Sequence, residues 1–142
     1  MLKKISEKIS GLNSLSYDKR LKISSMDDVV KNVKPMIADP NKEFFMALYL
    51  NTKNGVLKQE IISIGSLNTN VVHPREIFKT ACMISAAYII VAHNHPSGDP
   101  TPSREDIEIT KKLYEAGKMI ELLDHVIIGY DRYYGFKESG QL

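Results

Sequence analysis

The chain has too few cysteines for an internal disulfide or a cysteine-based zinc site. Its 142 residues include a single cysteine, Cys82. One thiol cannot form an internal disulfide, and structural zinc sites are usually rich in cysteine, so both are excluded. The low cysteine content also suits a reducing compartment. Because Cys82 falls within a helical pattern, we expect it to be a small, buried apolar side chain.

Long apolar runs and a strong excess of one charge are missing as well. No apolar run approaches the roughly 20 residues that a membrane-spanning helix needs. Residues 1–5 lead into polar sequence without the apolar core of a signal peptide. We therefore expect a cytoplasmic protein that does not bind a membrane. The net charge of +2 is too small to indicate nucleic-acid binding by itself.

The composition that remains is ordinary for one globular domain, with 43% hydrophobic and 25% charged residues. The first 20 residues stand apart because they are rich in serine and basic side chains, namely Lys3, Lys4, Lys8, Lys19 and Arg20. We predict an N-terminal extension over residues 1–20 and a domain over residues 21–142. The extension either contacts nucleic acid or a partner or is a solvated arm, and the second interpretation is favoured.

The first half of the domain alternates between helical and strand patterns. Ser25 is a typical N-cap, and Pro35 predicts a helix end or a kink. Residues 44–50 form a continuous apolar run, which predicts a strand buried on both faces. Residues 51–55 contain an Asn-Gly pair and predict a hairpin loop, with residues 56–64 returning as the partner strand.

The second half continues the alternation. We predict a short strand over residues 71–73, a helix opened by Pro74, and a buried strand over residues 88–92. A helix over residues 103–116 follows, with four side chains directed inward, namely Ile107, Thr110, Leu113 and Tyr114. Another strand over residues 122–129 and a hairpin partner within residues 130–136 complete the pattern.

Two histidines follow the strand at residues 88–92. His93 and His95 are two positions apart, so their side chains project to the same side if the strand continues through them. Two imidazoles on one side supply half of a tetrahedral zinc site. Pro96 then ends the strand because it has no N–H to donate.

A carboxylate follows at the start of the next helix. Turn residues 97–102 lead to Ser103, a good N-cap, and Asp106 lies in the first helical turn, where it can face the strand end. Ser103 and Asp106 also fit a capping box, and two histidines near a loop can be ordinary polar residues. The combination favours one zinc ion bound by His93, His95 and Asp106, with a fourth position for water, as in catalytic sites.

The spacing His93-x-His95-Pro96, six residues, Ser103-x-x-Asp106 resembles the JAMM motif of MPN/JAB-domain metalloproteases. The wider sequence, from Glu43-Phe44-Phe45 to Leu123-Asp124-His125, resembles the RadC branch of that family. The resemblance implies an α/β domain of the α+β type, cytidine-deaminase-like, with a mixed, largely antiparallel sheet flanked by helices. It also implies zinc-dependent hydrolysis of amide bonds in a peptide or protein substrate.

The resemblance assigns further roles by position. Ser103 would stabilise an oxyanion, and a glutamate on an upstream strand would bind the attacking water. Glu43 is the candidate for this general base, and Glu60 is its rival on the neighbouring strand. His73 is a minor candidate ligand, and His125, with Asp124 beside it, is either support for the metal or an ordinary core residue.

Two other functions stay open at this point. The first is a DNA-repair or DNA-metabolism accessory whose metal is structural or vestigial, with DNA as a weakly supported partner. The second is hydrolysis of a phosphodiester, for which a site normally has more carboxylates or two metals.

Overall fold

The computed structural model describes residues 21–65 and 72–142 of the chain. The elements, in chain order, are helix α1 (Met26–Val33) with a 3₁₀ turn (Lys34–Met36), strands β1 (Glu43–Leu50) and β2 (Val56–Gly65), helix α2 (Pro74–Met83), strand β3 (Tyr88–Asn94), helix α3 (Arg104–Ala116), and strands β4 (Glu121–Ile128) and β5 (Tyr133–Gly135). The predicted extension over residues 1–20 lies outside the described residues.

The strands form one five-stranded open sheet in the order β2-β1-β3-β4-β5. All neighbouring strands are antiparallel except β3 and β4, which run parallel. Helix α3 is the crossover that a parallel pair requires, because a short hairpin can join only antiparallel strands. The predicted mixed, largely antiparallel sheet flanked by helices is confirmed.

Strand β1 separates the two halves of the hydrophobic core. Phe45, Ala47 and Tyr49 pack on one face of the sheet against residues of α2 and α3, with Ile77, Ala81, Ile109 and Leu113 among them. The alternate residues of β1 pack on the other face, together with Val29 and Val33 of α1. Burial on both faces explains why the strand reads as a continuous apolar run rather than an alternating one.

Local signals in the first half behave as predicted. Ser25 accepts a hydrogen bond from the backbone N–H of Asp28, and α1 gives way to a 3₁₀ turn at Pro35. Asn54 adopts a positive φ of 61° in the hairpin loop, a conformation that Asn tolerates better than most residues.

Three expectations about burial are wrong. Cys82 is exposed, because the buried side of α2 carries Ile77 and Ala81 and the next residue is turned away from it. Ile107 and Tyr114 are exposed by 44% and 58%. Helix α3 instead buries Asp106, Ile109, Thr110 and Leu113. These residues are three or four positions apart, so they share the side of the helix that faces the sheet.

The predicted strand over residues 71–73 is also not found in its described part, because Val72 and His73 have no regular structure and residue 71 lies outside the described residues. Among the helices described, none has the length and apolar character needed to cross a membrane.

Candidate metal centre

The end of β3 holds the first two candidate ligands. His93 has a fully buried side chain, whereas that of His95 keeps 13% of its surface exposed. Strand β3 ends at Asn94, but the His95 N–H still donates to the Ile128 carbonyl at 3.0 Å. This bond keeps residue 95 aligned with β4, so the period of two holds and the two Nε2 atoms lie 3.0 Å apart.

Asp106 reaches the histidines from the first turn of α3. The Ser103 Oγ accepts a hydrogen bond from the Asp106 N–H at 3.1 Å, and Asp106 Oδ2 accepts one from the Ser103 N–H at 2.8 Å. The same carboxylate places Oδ1 3.0 Å from His93 Nε2 and Oδ2 3.0 Å from His95 Nε2. The capping box and the contact with the histidines therefore coexist, and the cap fixes the carboxylate where it meets the two rings.

These three side chains are the one group of its kind found in the described part of the chain. One ligand atom from each of His93, His95 and Asp106 lies within 4.8 Å of the other two. Two imidazole nitrogens and one carboxylate oxygen are donors that zinc accepts, and three protein ligands leave a position for a reacting molecule. The donor set therefore fits a catalytic metal ion.

The second nitrogen of each ring is also engaged. The Nδ1 atom of His95 lies 2.8 Å from the Asp99 carbonyl, which can only accept, so this nitrogen carries the proton. When His95 is neutral, as a metal ligand must be, Nε2 therefore carries the lone pair beside Asp106. The Nδ1 atom of His93 lies 2.8 Å from Nε2 of His125. Such bonds from the outer nitrogen orient ligating histidines in metal sites.

Electrostatics favour an ionised carboxylate at the centre. Burial by itself would raise the pKa of Asp106, but its hydrogen bonds with His93 and His95 outweigh burial and hold that pKa well below its usual range. Burial would likewise lower the pKa of His95, and its bonds to Asp106 and Asp99 reverse the direction and raise it. An ionised carboxylate beside two imidazoles is a donor set that can bind a divalent cation once the rings are neutral.

A polar cleft of about 510 Å³ opens over this group. Glu43, the first residue of β1, lines the cleft together with His95, Ser103 and Asp106. Both residues to which the motif assigns roles beyond metal binding, Glu43 and Ser103, therefore share one cavity with two of the candidate ligands.

Asn94 is a component of the site that the sequence analysis missed. Its side-chain Oδ1 accepts a hydrogen bond from the Phe44 N–H at 2.8 Å, and its Nδ2 donates to the Lys42 carbonyl at 2.9 Å. These two backbone groups flank Glu43 on either side. The signal that could have identified Asn94 is a polar residue at the end of an apolar strand, because a buried amide requires hydrogen-bond partners.

Comparison with known proteins identifies the family of the domain. The family described as "RadC-like JAB domain" matches residues 23–141, which is most of the chain. The chain belongs to the RadC family.

This RadC-family chain is similar to proteins of several organisms. It is 56% identical over 133 residues to a UPF0758 protein of Methanococcoides burtonii, which covers 92% of this chain and 58% of the relative. UPF0758 proteins of Methanosarcina mazei and Bacillus cereus are each 53% identical over 91% and 90% of this chain, and 57% and 58% of their own lengths. The chain therefore spans somewhat more than half the length of these relatives.

The rival glutamate of this RadC-family chain lies elsewhere. Glu60 of β2 accepts a hydrogen bond from the Tyr49 hydroxyl at 2.5 Å and forms an ion pair with Lys58. It pairs with Ala47, four residues along β1 from Glu43, and it is not among the described residues that line the cleft. Of the two glutamates, Glu43 is the one that shares the cleft with the candidate ligands His95 and Asp106.

The remaining candidates separate clearly in the structure. His73 is exposed at the start of α2 and is not part of the ligand group. The Asp124 side chain bonds to the backbone, since its Oδ1 accepts hydrogen bonds from the N–H groups of His125 and Lys137. His125, in contrast, contacts His93 directly. Complete burial lowers the pKa of His125 well below its usual range.

Proposed function

We propose that this RadC-family domain is a zinc-dependent hydrolase of amide bonds, acting as a metallopeptidase or an isopeptidase of the JAMM type. The observation that carries the proposal is the convergence of His93, His95 and Asp106 beside a cleft that Glu43 and Ser103 also line. The three ligands would hold one Zn²⁺. Zinc at such a site lowers the pKa of water toward neutrality and polarises a substrate carbonyl.

Glu43 supplies the proton transfers in this proposal. Its carboxylate lines the cleft next to His95, and a carboxylate in this place can accept a proton from the attacking water. The same group then delivers that proton to the leaving nitrogen as the C–N bond breaks. The products are a carboxylate and an amine, and Glu43 returns to its ionised form.

Ser103 supplies a hydrogen-bond donor for the oxyanion. Its Oγ already accepts the Asp106 N–H, and a hydroxyl that accepts one hydrogen bond still has its own proton to donate. The cap thus orients the Oγ at the cleft wall while the O–H can turn toward a substrate. Donors placed in this way act on the charge that develops in the transition state.

The charge of the cleft favours an amide substrate over DNA. Its lining includes four carboxylates, Glu43, Asp99, Glu105 and Asp106, and no lysine or arginine among the described residues. Proteins that bind nucleic acid neutralise phosphates with basic side chains, and an acidic lining repels them. A peptide or protein segment carries no such obligatory negative charge.

The experiment compares two glutamates of the same chain. Zinc-loaded wild type, Glu43→Gln and Glu60→Gln are assayed for cleavage of a peptide library and of isopeptide-linked peptides, with zinc content measured for each. We expect Glu43→Gln to lose about 100-fold or more in turnover with zinc retained, because the proton acceptor is gone. Glu60→Gln keeps its acceptor for Tyr49 and should cleave like wild type.

Two results would contradict the proposal. Full turnover by Glu43→Gln would remove Glu43 from the mechanism. A zinc-loaded wild type that cleaves neither type of peptide but binds DNA, with an affinity that falls steeply as salt rises, would favour the accessory role instead.

A further inference from the structure

A second buried imidazole lies directly behind the candidate ligand His93. His125 of β4 is fully buried, with its ring stacked on Phe136 at a centroid distance of 4.8 Å and Phe45 at its edge at 5.8 Å. Its Nε2 lies 2.8 Å from His93 Nδ1. The two aromatic rings fix the plane of the imidazole, so both of its nitrogens have defined partners.

The partner on the far side is a threonine of α3. The Nδ1 atom of His125 lies 2.5 Å from the Thr110 Oγ1, and the same hydroxyl lies 2.6 Å from the backbone carbonyl of Asp106. A continuous chain of short contacts therefore runs from His93 through His125 and Thr110 to the backbone of Asp106. It begins at one candidate ligand and ends at another.

Ligation of a metal through His93 Nε2 determines every proton in this chain. A neutral His93 that offers the Nε2 lone pair carries its proton on Nδ1, so His125 Nε2 must accept. A neutral His125 then carries its proton on Nδ1 and donates to the Thr110 Oγ1. Thr110 in turn donates its single proton to the Asp106 carbonyl, as threonines in helices commonly do four residues back.

We propose that Thr110 and His125 are positioning residues that hold His93 in the tautomer able to bind the metal and tie that ring to the helix carrying Asp106. The inference rests on the metal site of the proposed function and not on hydrolysis. Outer hydrogen bonds of this kind usually run from a ligating histidine to a carboxylate, a carbonyl or water. Here the His125 imidazole takes that place and extends the connection to Thr110 of α3.

The hydroxyl of Thr110 matters for the metal-bound state in particular. Without it, His125 Nδ1–H has no acceptor in a buried setting, which is unfavourable. In the metal-free protein His125 can escape by moving its proton to Nε2 and donating to His93 Nδ1. His93 then carries its proton on Nε2, where it points at Asp106 and blocks the metal. Loss of the hydroxyl therefore weakens metal binding rather than folding.

The first test reads the tautomer directly. In zinc-loaded wild type with ¹⁵N-labelled histidine, nitrogen chemical shifts distinguish protonated from unprotonated ring nitrogens. We expect His93 and His125 both to carry the proton on Nδ1, with His125 Nε2 unprotonated. A proton on His125 Nε2 would overturn the proposal. This measurement needs no variant, so it holds even if a substitution prevents folding.

The second test measures zinc affinity by competition with a chelator. We expect Thr110→Val to weaken zinc binding by about 10-fold or more, in the range typical for lost outer-shell partners. Thr110→Ser restores the hydroxyl and should bind close to wild type. Thr80→Val is the matched control, since Thr80 lies on α2 and its hydroxyl bonds to Tyr49 rather than to the site. Unchanged affinity in folded Thr110→Val would also overturn the proposal.

The two proposals fail separately. A protein that binds zinc with the expected tautomers but cleaves no peptide refutes hydrolysis and leaves the positioning role of Thr110 and His125 intact. A protein that cleaves peptides while His125 carries its proton on Nε2 refutes the positioning role and leaves the hydrolase proposal intact.

Discussion

Asn94 lies between His93 and His95, yet its side chain serves the neighbouring strand. Its amide bonds to the backbone on both sides of Glu43, through the Lys42 carbonyl and the Phe44 N–H. An asparagine is one of few side chains that can donate and accept at once. It thereby couples the strand that carries two candidate ligands to the residue proposed as the general base.

We predict that Asn94→Ala lowers turnover while zinc remains bound. The substitution leaves the Phe44 N–H and the Lys42 carbonyl without this partner, which costs about 1–3 kcal/mol of stability and lets the start of β1 shift. Denaturant unfolding, zinc content and peptide cleavage measure the three effects.

Asn51→Ala is the control for this prediction. Asn51 follows the other end of β1, where its Oδ1 accepts hydrogen bonds from the N–H groups of Lys53 and Gly55. Its loss should also destabilise the fold but leave turnover unchanged. If both variants lower turnover equally, the effect of Asn94 comes from stability and not from the position of Glu43.

At the scale of elements, two helices begin with the same capping box. Ser25 and Asp28 open α1, and Ser103 and Asp106 open α3. Only the second box faces the cleft, so the same local chemistry is structural in one helix and combined with a site in the other. The two helix starts therefore form a natural matched pair.

We predict that Ser103→Ala and Ser25→Ala have similar effects on folding and different effects on catalysis. Either change removes an N-cap and should lower the free energy of unfolding by about 0.5–2 kcal/mol. Ser103→Ala also removes the proposed oxyanion donor and should lower turnover by about 100-fold or more. Equal turnover in the two variants would limit Ser103 to capping.

At the scale of the whole molecule, the candidate ligands join separate parts of the fold. His93 ends β3, His95 follows it, and Asp106 opens α3 across the connecting loop. An ion bound by all three fastens the crossover helix to the centre of the sheet. Because a ligand that binds only the folded state shifts the folding equilibrium, such an ion stabilises the entire domain.

We predict that zinc at 100 times its dissociation constant raises the free energy of unfolding by about 2.7 kcal/mol and that a chelator reverses the gain. Thermal unfolding with and without zinc measures it. His93→Ala should abolish the zinc-dependent gain, and His73→Ala should keep it, because His73 is exposed and outside the ligand group. An equal gain in both variants would place the zinc elsewhere.

Much of the fold was predictable because its signals are local. The buried strand β1, the hairpin after it, the caps at Ser25 and Ser103 and the order of elements each follow from short stretches of sequence. The wrong expectations concern orientation instead. Cys82 is exposed and α3 turns Asp106 rather than Ile107 inward, since the face that a helix buries depends on where the sheet lies.

The sequence by itself determined which three side chains meet at the candidate metal centre, because His93, His95 and Asp106 lie within one strand, one turn and one helical start. Only the tertiary structure decided what surrounds them. Asn94 reaches across 50 residues to Phe44, and His125 reaches across 32 to His93. Contacts between residues so far apart in the chain arise from strand order and register, which short-range patterns do not encode.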